Sequence, residues 1–410
     1  MFFDLTDEQR ALAETVRDVL ADRCDLTAVR AVFEDTDGDG HPRELWRTIG
    51  DQGWLSVCVP VEYGGLGLGL LDAQVIARAF GAGVVPGPWA STVLAGEAVR
   101  RFGSSEQAAA VLGPLGAGEL VATVALRGPG GGFGRTGIAV RASPDGRLHG
   151  MASGVEYAAV AGLLVVAALE PGPAADTRSA AGRRTADQAG VAGVGVDAVV
   201  ADRVGLYLVE PSAAGVRVAP QSGFDATTRL AAVTFEGAPG RRLPGSDDAA
   251  LTDLLRRGAA LAAADLVGIA REALRRTVAY DIARVQFGRP VGSFQALAHH
   301  LADLHVAVTM AEHAVLFAAH AIDTTEQPDT EQPDTEQPDV VLAVAIAKSK
   351  ASDTAREVTA AMIQYHGGLG YTWEHDTHFF YKRAKRLATA YGDSGDHLAE
   401  IARTAVSPMS

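Results

Sequence analysis

Hydrophobic positions in the N-terminal part of the chain recur at helical spacing. The first segment carries Leu5, Leu12, Val16 and Leu20. This spacing predicts a helix, and Thr6 is a candidate N-cap because its hydroxyl can accept hydrogen bonds from first-turn amides. Segments 70–83 and 90–103 are also helical in pattern and end at glycine. We therefore predict an N-terminal helical domain over residues 1–120.

The middle of the chain changes to short strand-like runs that are separated by Gly, Pro and Asp clusters. Six such runs occupy residues 120–126, 137–143, 162–169, 204–210, 216–220 and 230–237. Runs of this length and composition predict β-strands. We expect a middle β domain over residues 121–245, built as a barrel or as two stacked sheets, with a long loop at 171–200.

A helical pattern returns in the C-terminal part. One face of a long helix is marked by Leu266, Ile269, Ala270, Ala273, Leu274, Thr277 and Val278. Further helices are predicted at 294–322, at 340–368 and at 397–406, which together form a helical bundle over residues 246–410. Helices, then strands, then helices is not an alternating βα order. The prediction is a multi-domain α+β fold rather than a Rossmann sheet.

Composition narrows the functional classes. The chain has 410 residues and a net charge of −14, of which six negative charges lie in the threefold TEQPD repeat at 325–339. Its prolines predict an irregular acidic loop, which is either a plain linker or a partner-binding segment. No basic face for nucleic acid, no membrane-spanning run and no signal peptide are expected. Two cysteines, Cys24 and Cys58, fit a reducing cytoplasm.

Two stretches in the C-terminal part carry candidate binding chemistry. In RVQFGRPVGSFQ, Arg284 and Arg289 flank a turn, which suits a diphosphate clasp. Phe287 can lie on a flat heterocycle, and Gln295 can both donate and accept hydrogen bonds. A helix–helix turn with solvated arginines is the alternative.

The second stretch, QYHGGLGYTWEH, has paired glycines directly after a helix. Gly367 and Gly368 let a backbone approach a ligand closely, and Gln364 lies one turn earlier. A structural C-cap is the alternative interpretation. His366 has no companion at metal spacing, so we expect a hydrogen-bonded structural role and no metal site.

Taken together, these stretches resemble the acyl-CoA dehydrogenase family. The residues that carry the resemblance are RVQFGRPVGSFQALAHHLADL, QYHGGLGYTWEHD, VPVEYGGLG and FDATTRLAAVTFEG, in family order. The resemblance implies an N-terminal helical domain, a central β domain and a C-terminal four-helix bundle. It also implies FAD between the β domain and the bundle, in a dimer or a dimer of dimers, and an electron-transfer acceptor.

The resemblance assigns roles to individual residues. Arg284, Phe287 and Gln295 would meet the diphosphate and adenine side of FAD. Gln364, Gly367 and Gly368 would meet the same cofactor from the neighbouring subunit. The implied reaction is α,β-dehydrogenation of an acyl-CoA thioester, in which a carboxylate removes the α-proton and the β-hydrogen leaves as hydride.

The carboxylate base is missing from both positions where the family carries it. These positions fall on Gly392 and near Gly258. Asp393 is a substitute candidate with a shorter side chain, whereas Asp396 is more simply a capping residue. In addition, Arg127 and Gly130–Gly132 replace a family segment that meets the flavin ring.

The resemblance is therefore to the base-less subunits of heteromeric actinobacterial enzymes for steroid-type or other bulky acyl-CoA. A homo-oligomer that uses Asp393 as its base and a non-catalytic binding homologue are the alternatives. The acyl group and the identity of the partner chain stay open.

Overall fold

The structure is a computed structural model that describes residues 4–171, 202–326 and 338–406. Nearly all of the predicted loop at 171–200 and the middle of the TEQPD repeat lie outside these residues.

The N-terminal region contains six helices. They are α1 (Asp7–Arg23), α2 (Leu26–Glu34), α3 (Arg43–Asp51), α4 (Leu70–Gly83), α5 (Trp89–Phe102) and α6 (Ser105–Gly116). Thr6 is the N-cap of α1, because its hydroxyl accepts from the Gln9 amide and the Gln9 side chain accepts from the Thr6 amide in return. The sequence pattern identified α1, α4 and α5 but not α2, α3 or α6.

Within the described residues of the middle region, 121–171 and 202–245, eight strands form one sheet. They are β1 (Ala122–Ala125), β2 (Val140–Ala142), β3 (Arg147–Glu156), β4 (Leu163–Glu170), β5 (Arg203–Val209), β6 (Val216–Gln221), β7 (Leu230–Pro239) and β8 (Arg241–Arg242). The order is β6-β7-β3-β2-β4-β5-β8, and β1 pairs in parallel with β4. The sequence pattern missed β3 and β8.

Both faces of the sheet are covered. Along β4, Val165 and Ala167 join a core with α5 and α6, whereas the alternate residues Leu164 and Val166 join a second core. The second core contains residues of β3 and β7, so the sheet curls around it as a half-barrel. The two-residue side-chain period of a strand explains why β4 reads as a continuous apolar run.

The described part of the C-terminal region, residues 246–326 and 338–406, contains five helices and a small hairpin. They are α7 (Asp248–Ala283), β9 (Val285–Gln286), β10 (Arg289–Pro290), α8 (Gln295–Glu326), α9 (Val340–Tyr365), α10 (Thr377–Thr389) and α11 (Ser394–Val406). Helix α8 is long and apolar enough to cross a membrane by length and composition alone. Its buried residues, such as Leu304, Val308 and Val315, belong to the largest core cluster, which it shares with α7 and α9. This architecture confirms the predicted fold class, while the domain limits at 120 and 245 stay predictions.

Helices α4 and α7 cross at unusually short range. A Cβ atom on Gly81 would lie 2.0 Å from the Asp265 carbonyl oxygen, and one on Gly268 would lie 2.0 Å from the Arg78 carbonyl oxygen. Because backbone occupies both places, only glycine fits at either position. These glycines allow α4 to pack closely against α7, which belongs to the bundle that carries the candidate site.

The TEQPD repeat begins within one helix and ends at the cap of the next. Helix α8 continues to Glu326, and the Asp339 carboxylate caps α9 by accepting from the Leu342 amide at 3.0 Å. The Glu326 carboxylate contacts three arginines, namely Arg100, Arg101 and Arg257. Although burial opposes ionisation, these guanidinium groups hold the pKa of Glu326 below its usual value. The linker prediction is therefore wrong for residues 325 and 326, which lie in α8, whereas 338 and 339 precede α9.

Candidate functional site

The arginine turn, residues 284–290, is a tight hairpin at the end of α7. Arg284 is the C-cap of that helix, and β9 pairs with β10. The two central residues, Phe287 and Gly288, have φ values of 54° and 79°. Two consecutive positive φ angles define a type I′ turn, in which a phenylalanine is strained where glycine or asparagine is preferred.

Phe287 is also the most exposed large apolar residue among the described residues, with 91% of its surface accessible. Its ring lies edge-on to the Phe294 ring, with centroids 6.1 Å apart. A strained backbone that presents an aromatic ring to solvent is unfavourable for the isolated chain. The fold of this chain gives no packing reason for Phe287, and its cofactor-binding role stays a prediction.

The guanidinium groups of the arginine turn have no carboxylate partner in the described part of the chain. Arg284 makes no ion pair, and Arg289 lies over the Phe294 ring at 3.9 Å. Gln295 is exposed at the start of α8. Two unneutralised guanidinium groups beside an exposed amide fit a diphosphate, which takes charge-assisted hydrogen bonds from arginine.

The paired glycines, Gly367 and Gly368, are exposed to solvent at the end of α9. Gln364 is also exposed. Gly367 has φ 60°, so its own backbone requires glycine, but Gly368 has no such need. A Cβ atom on either glycine would meet nothing within 4 Å. Packing within this chain therefore leaves the second glycine unexplained, and close approach by a ligand or another chain would explain it.

The bundle brings the arginine turn and the paired glycines to the same end. Tyr280, one turn before the arginine turn, stacks on His366 with ring centroids 4.3 Å apart. The Tyr280 hydroxyl donates to the His366 carbonyl at 3.4 Å. His366 is buried, and its ring contacts the Met362 carbonyl at 2.7 Å, in agreement with a structural role. The binding roles of Gln364, Gly367 and Gly368 stay predictions.

A second feature is the closed pocket, which lies between the sheet and α10 around Tyr391. Tyr391 follows α10 with φ 57° and packs its ring against α7. A Cβ atom on Gly258 would lie 2.5, 2.6 and 2.8 Å from three carbons of that ring. The ring therefore rests directly on the helix backbone. Neither Gly258 nor Gly392, the two positions where the resemblance places a base, carries a carboxylate.

The glycine-rich loop 127–135 covers the other side of the Tyr391 ring. Phe133 stacks on Tyr391 with centroids 5.4 Å apart and an interplanar angle of 35°. The Arg127 guanidinium lies 4.9 Å from the Phe133 ring centroid and against Gly154, where a Cβ atom would meet it at 2.5 Å. Arg127, Phe133 and Tyr391 form one stack between the sheet and α7.

This stack leaves little free space. A cavity of about 70 Å³ remains on the β1 side of Tyr391, and one of about 40 Å³ remains on the α7 side. Binding pockets for cofactors and ligands typically have volumes of about 300–1,000 Å³. The closed pocket of this chain therefore fits neither an isoalloxazine ring nor a bulky acyl group.

The carboxylates near the closed pocket serve structural roles. Asp393 is exposed, and its carboxylate accepts from the Asp396 amide at 3.0 Å, while the Asp396 carboxylate accepts from the Asp393 amide at 3.0 Å. This reciprocal pair caps α11. Since Asp393 does not line the pocket, the base role predicted for it has no support from its position, whereas the capping role predicted for Asp396 agrees with it.

Asp265, which pairs with buried Arg383, lines the closed pocket. Glu156 also lines it, and the sequence analysis missed both carboxylates. The Glu156 carboxylate forms an ion pair with Arg386 at 2.5 Å, and Arg386 also donates to buried Asp225 at 2.8 Å. Arg386 thus links Glu156 to Asp225. The three residues join β3, the β6–β7 loop and α10. They come from distant segments, so no local spacing marked them.

Two family models match this chain. The model described as acyl-CoA dehydrogenase, N-terminal domain, matches residues 6–119. The model described as acyl-CoA dehydrogenase, C-terminal domain, matches residues 248–406.

Individual relatives agree with these models. The acyl-CoA dehydrogenase IpdE2 of Mycolicibacterium smegmatis is 29% identical over 398 residues, which are 97% of this chain and 98% of the relative. A chain of the ChsE4-ChsE5 complex from Mycobacterium tuberculosis is 25% identical to this chain, with a TM-score of 0.81. The match covers 100% of this chain and 100% of the matched chain. The Tcur3481-Tcur3483 steroid ACAD, solved as a variant, is 26% identical with a TM-score of 0.80 and covers 98% of this chain and 99% of its own.

Proposed function

The chain belongs to the acyl-CoA dehydrogenase family of oxidoreductases that act on acyl-CoA, and we propose that it is the base-less subunit of a heteromeric FAD-dependent member. In this proposal a second, glutamate-bearing family subunit supplies the base. This chain supplies residues that hold the cofactor at the interface. The observation that carries the proposal is the Tyr391 ring, which rests on Gly258 while no carboxylate stands at residue 258 or 392.

The open end of the bundle would hold the cofactor. FAD, when bound, accepts the hydride from the β-carbon of the thioester. Arg284 and Arg289 would neutralise its diphosphate, and Phe287 would present a flat surface to its heterocycle. Gly367 and Gly368 would admit the cofactor bound to the other subunit.

Because the pocket of this chain is closed, the partner subunit would have to bind the substrate and carry the base. The stack of Arg127, Phe133 and Tyr391 would leave no room for an acyl thioester in the closed pocket, and the Glu156 carboxylate there is already paired with Arg386. Proton transfer needs a base in hydrogen-bond reach of its proton. Proton abstraction would therefore take place in the partner subunit.

Two solved neighbours support pairing of unlike chains and a bulky substrate. The ChsE4-ChsE5 structure is described as a complex, and the Tcur3481-Tcur3483 protein as a steroid ACAD. We propose a steroid-type or similarly bulky acyl-CoA substrate for the assembly that contains this chain. An electron-transfer protein would reoxidise the reduced cofactor.

Purification of the chain alone and together with a glutamate-bearing family subunit tests the proposal. We expect no acyl-CoA-dependent dye reduction by the chain alone. The pair should be active and contain one flavin for each pair, because this chain's own pocket is closed. Activity of the chain alone that disappears in Asp393→Asn would instead establish the homo-oligomer. A folded pair with flavin but no turnover on any acyl-CoA would favour the non-catalytic homologue.

The arginine turn provides a matched test within the same pair. Arg284→Gln should lower the flavin content of the purified pair about tenfold or more at equal protein, because an arginine–phosphate contact contributes about 1.5–3 kcal/mol. Arg241→Gln is the control, since Arg241 is exposed on β8, away from the bundle end. Equal flavin content in both variants would remove Arg284 from the cofactor site.

A further inference from the structure

Lys348 is completely buried in the middle of α9, where a charged side chain is costly. Its accessible surface is 0%, and it is among the largest fully buried side chains of the described residues. The ammonium group donates to the Ser352 hydroxyl at 3.0 Å, to the Ala388 carbonyl at 3.1 Å and to the Gly392 carbonyl at 3.0 Å. An ammonium group has three protons for these three partners. An uncharged amine keeps the same contacts, because its two protons suffice for the two carbonyls and the Ser352 hydroxyl can donate to the nitrogen.

The two carbonyls that Lys348 binds lie on either side of Tyr391. Ala388 is in the last turn of α10, where carbonyls lack a helical partner, and Gly392 lies beyond the helix. If Lys348 served only to cap α10, the contact with the Ala388 carbonyl would be sufficient. The segment between them is conformationally restrained, with φ values of 57° at Tyr391 and 102° at Gly392.

A second contact supports the same turn from α11. The His397 Nε2 atom lies 3.1 Å from the Tyr391 carbonyl oxygen. Lys348 and His397 thus contact three carbonyls of the turn, at residues 388, 391 and 392, while the Tyr391 ring lines the closed pocket. Two elements that are remote in sequence hold one strained turn in place.

We propose that Lys348 is a positioning residue that fixes the 388–392 turn and so keeps the Tyr391 ring on Gly258 and the closed pocket shut. The proposal rests on the proposed function, in which a shut pocket confines the reaction to the partner subunit. Lys348 acts through the turn and touches neither substrate nor cofactor.

The charge of Lys348 provides a specific signature. Burial lowers the pKa of Lys348 to about 7, while Asp393, Asp353 and Asp396 act in the opposite direction. If the turn opens and water reaches the amine, the pKa returns towards its ordinary value of 10.5. The open turn then binds more protons than the closed turn between these two values, so rising pH favours the closed turn.

Protonation of His397 also favours the open turn, but at lower pH than protonation of Lys348. Burial and the Lys348 charge lower its pKa from 6.5, so opening of the turn also favours its protonation. Measurements above about pH 7 therefore isolate the contribution of Lys348.

Amide hydrogen exchange of the full-length chain, followed by mass spectrometry, tests the proposal. For the peptide that spans 388–392, protection relative to the unstructured rate should rise by up to about tenfold for each pH unit above 7. Lys348→Met should abolish this rise and lower protection at least about tenfold at neutral pH. Lys350→Met, on the same helix, is the matched control and should behave as the unmodified chain.

The outcomes separate positioning from general stability. Loss of protection confined to 388–392, together with loss of its pH dependence, supports the proposal. An equal loss in β4 and β5, or an unchanged pH dependence in Lys348→Met, overturns it. If Lys348→Met does not fold, the pH dependence of the unmodified chain decides alone, and a flat profile overturns the proposal.

The test is independent of flavin, partner and turnover. Activity of the chain alone would contradict the proposed function while the exchange result still stands. Conversely, a flat exchange profile in a chain that is active only with its partner would contradict the role of Lys348 alone.

Discussion

Replacement of Gly258 by alanine tests whether the Tyr391 ring lies on α7. Gly258 is in the interior of a 36-residue helix. In an uncrowded helix, Gly→Ala stabilises a protein by about 0.5–1 kcal/mol, because alanine loses less backbone entropy on folding. In this chain, however, the new methyl would lie 2.5–2.8 Å from three ring carbons of Tyr391.

The magnitude follows from the difference between these two effects. Overpacking of this kind costs about 1–3 kcal/mol. After the helix gain of up to about 1 kcal/mol, Gly258→Ala should destabilise the chain by up to about 2 kcal/mol. If Tyr391 is first changed to alanine, the obstacle is gone, and Gly258→Ala should then be stabilising. The sign of the effect should therefore reverse between the two backgrounds.

Urea unfolding of the four proteins in this double-mutant cycle is the assay, with coupling energies of about 1–3 kcal/mol expected between residues 258 and 391. Gly268→Ala is the matched control, because its methyl would meet the Arg78 backbone oxygen at 2.0 Å and not Tyr391. It should destabilise both backgrounds equally. Stabilisation by Gly258→Ala in the presence of Tyr391 would refute the closed pocket and with it the argument for a base-less subunit.

Three further predictions concern the ion cluster, the arginine turn and the vacant base position. Glu326→Gln should lower the free energy of urea unfolding by about 2–3 kcal/mol, because buried Arg257 loses a partner and keeps Glu97 and Asp253. Glu106→Gln, at an exposed position, should change it by less than about 0.5 kcal/mol. Phe287→Gly should raise the unfolding free energy of the isolated chain by about 1 kcal/mol by relieving the positive φ, yet lower flavin content in the assembled pair. Gly392→Glu should not make the chain active alone in a dye-reduction assay, because a Cβ there would point at His397 at 2.9 Å, and turnover by this variant would contradict the geometry.

The local sequence pattern was sufficient to identify an element where its apolar residues repeat with a single period. The apolar spacing of α1, α4 and α7 and the apolar run of β4 identified those elements directly. Strand β3 escaped because its pairing with β7 shifts register between Leu148 and His149 and again between Ala152 and Val155. Each shift changes which residues face the core, so the two-residue alternation is lost from the sequence although the strand is paired throughout.

The same contrast between local pattern and tertiary contact applies to the candidate site. The arginine turn and the paired glycines are short, contiguous motifs, so sequence alone could single them out. The closed pocket depends on Tyr391 meeting Gly258 and Phe133, which are far apart along the chain. Lys348 was equally unpredictable, since a lysine within a helix is normally solvated and only the fold shows that three acceptors surround it.

The two features also rest on separate supports. In the described residues, the arginine turn is held by α7 and by the Tyr280–His366 contact, whereas the Tyr391 turn is held by Lys348 and His397. Because these contacts share no residue, changes at the base position need not disturb the cofactor residues, as expected for sites without common partners. A family member could therefore lose its base, fill the vacated space with its own side chains and still complete a cofactor site. That independence makes a cofactor-holding, base-less subunit physically consistent.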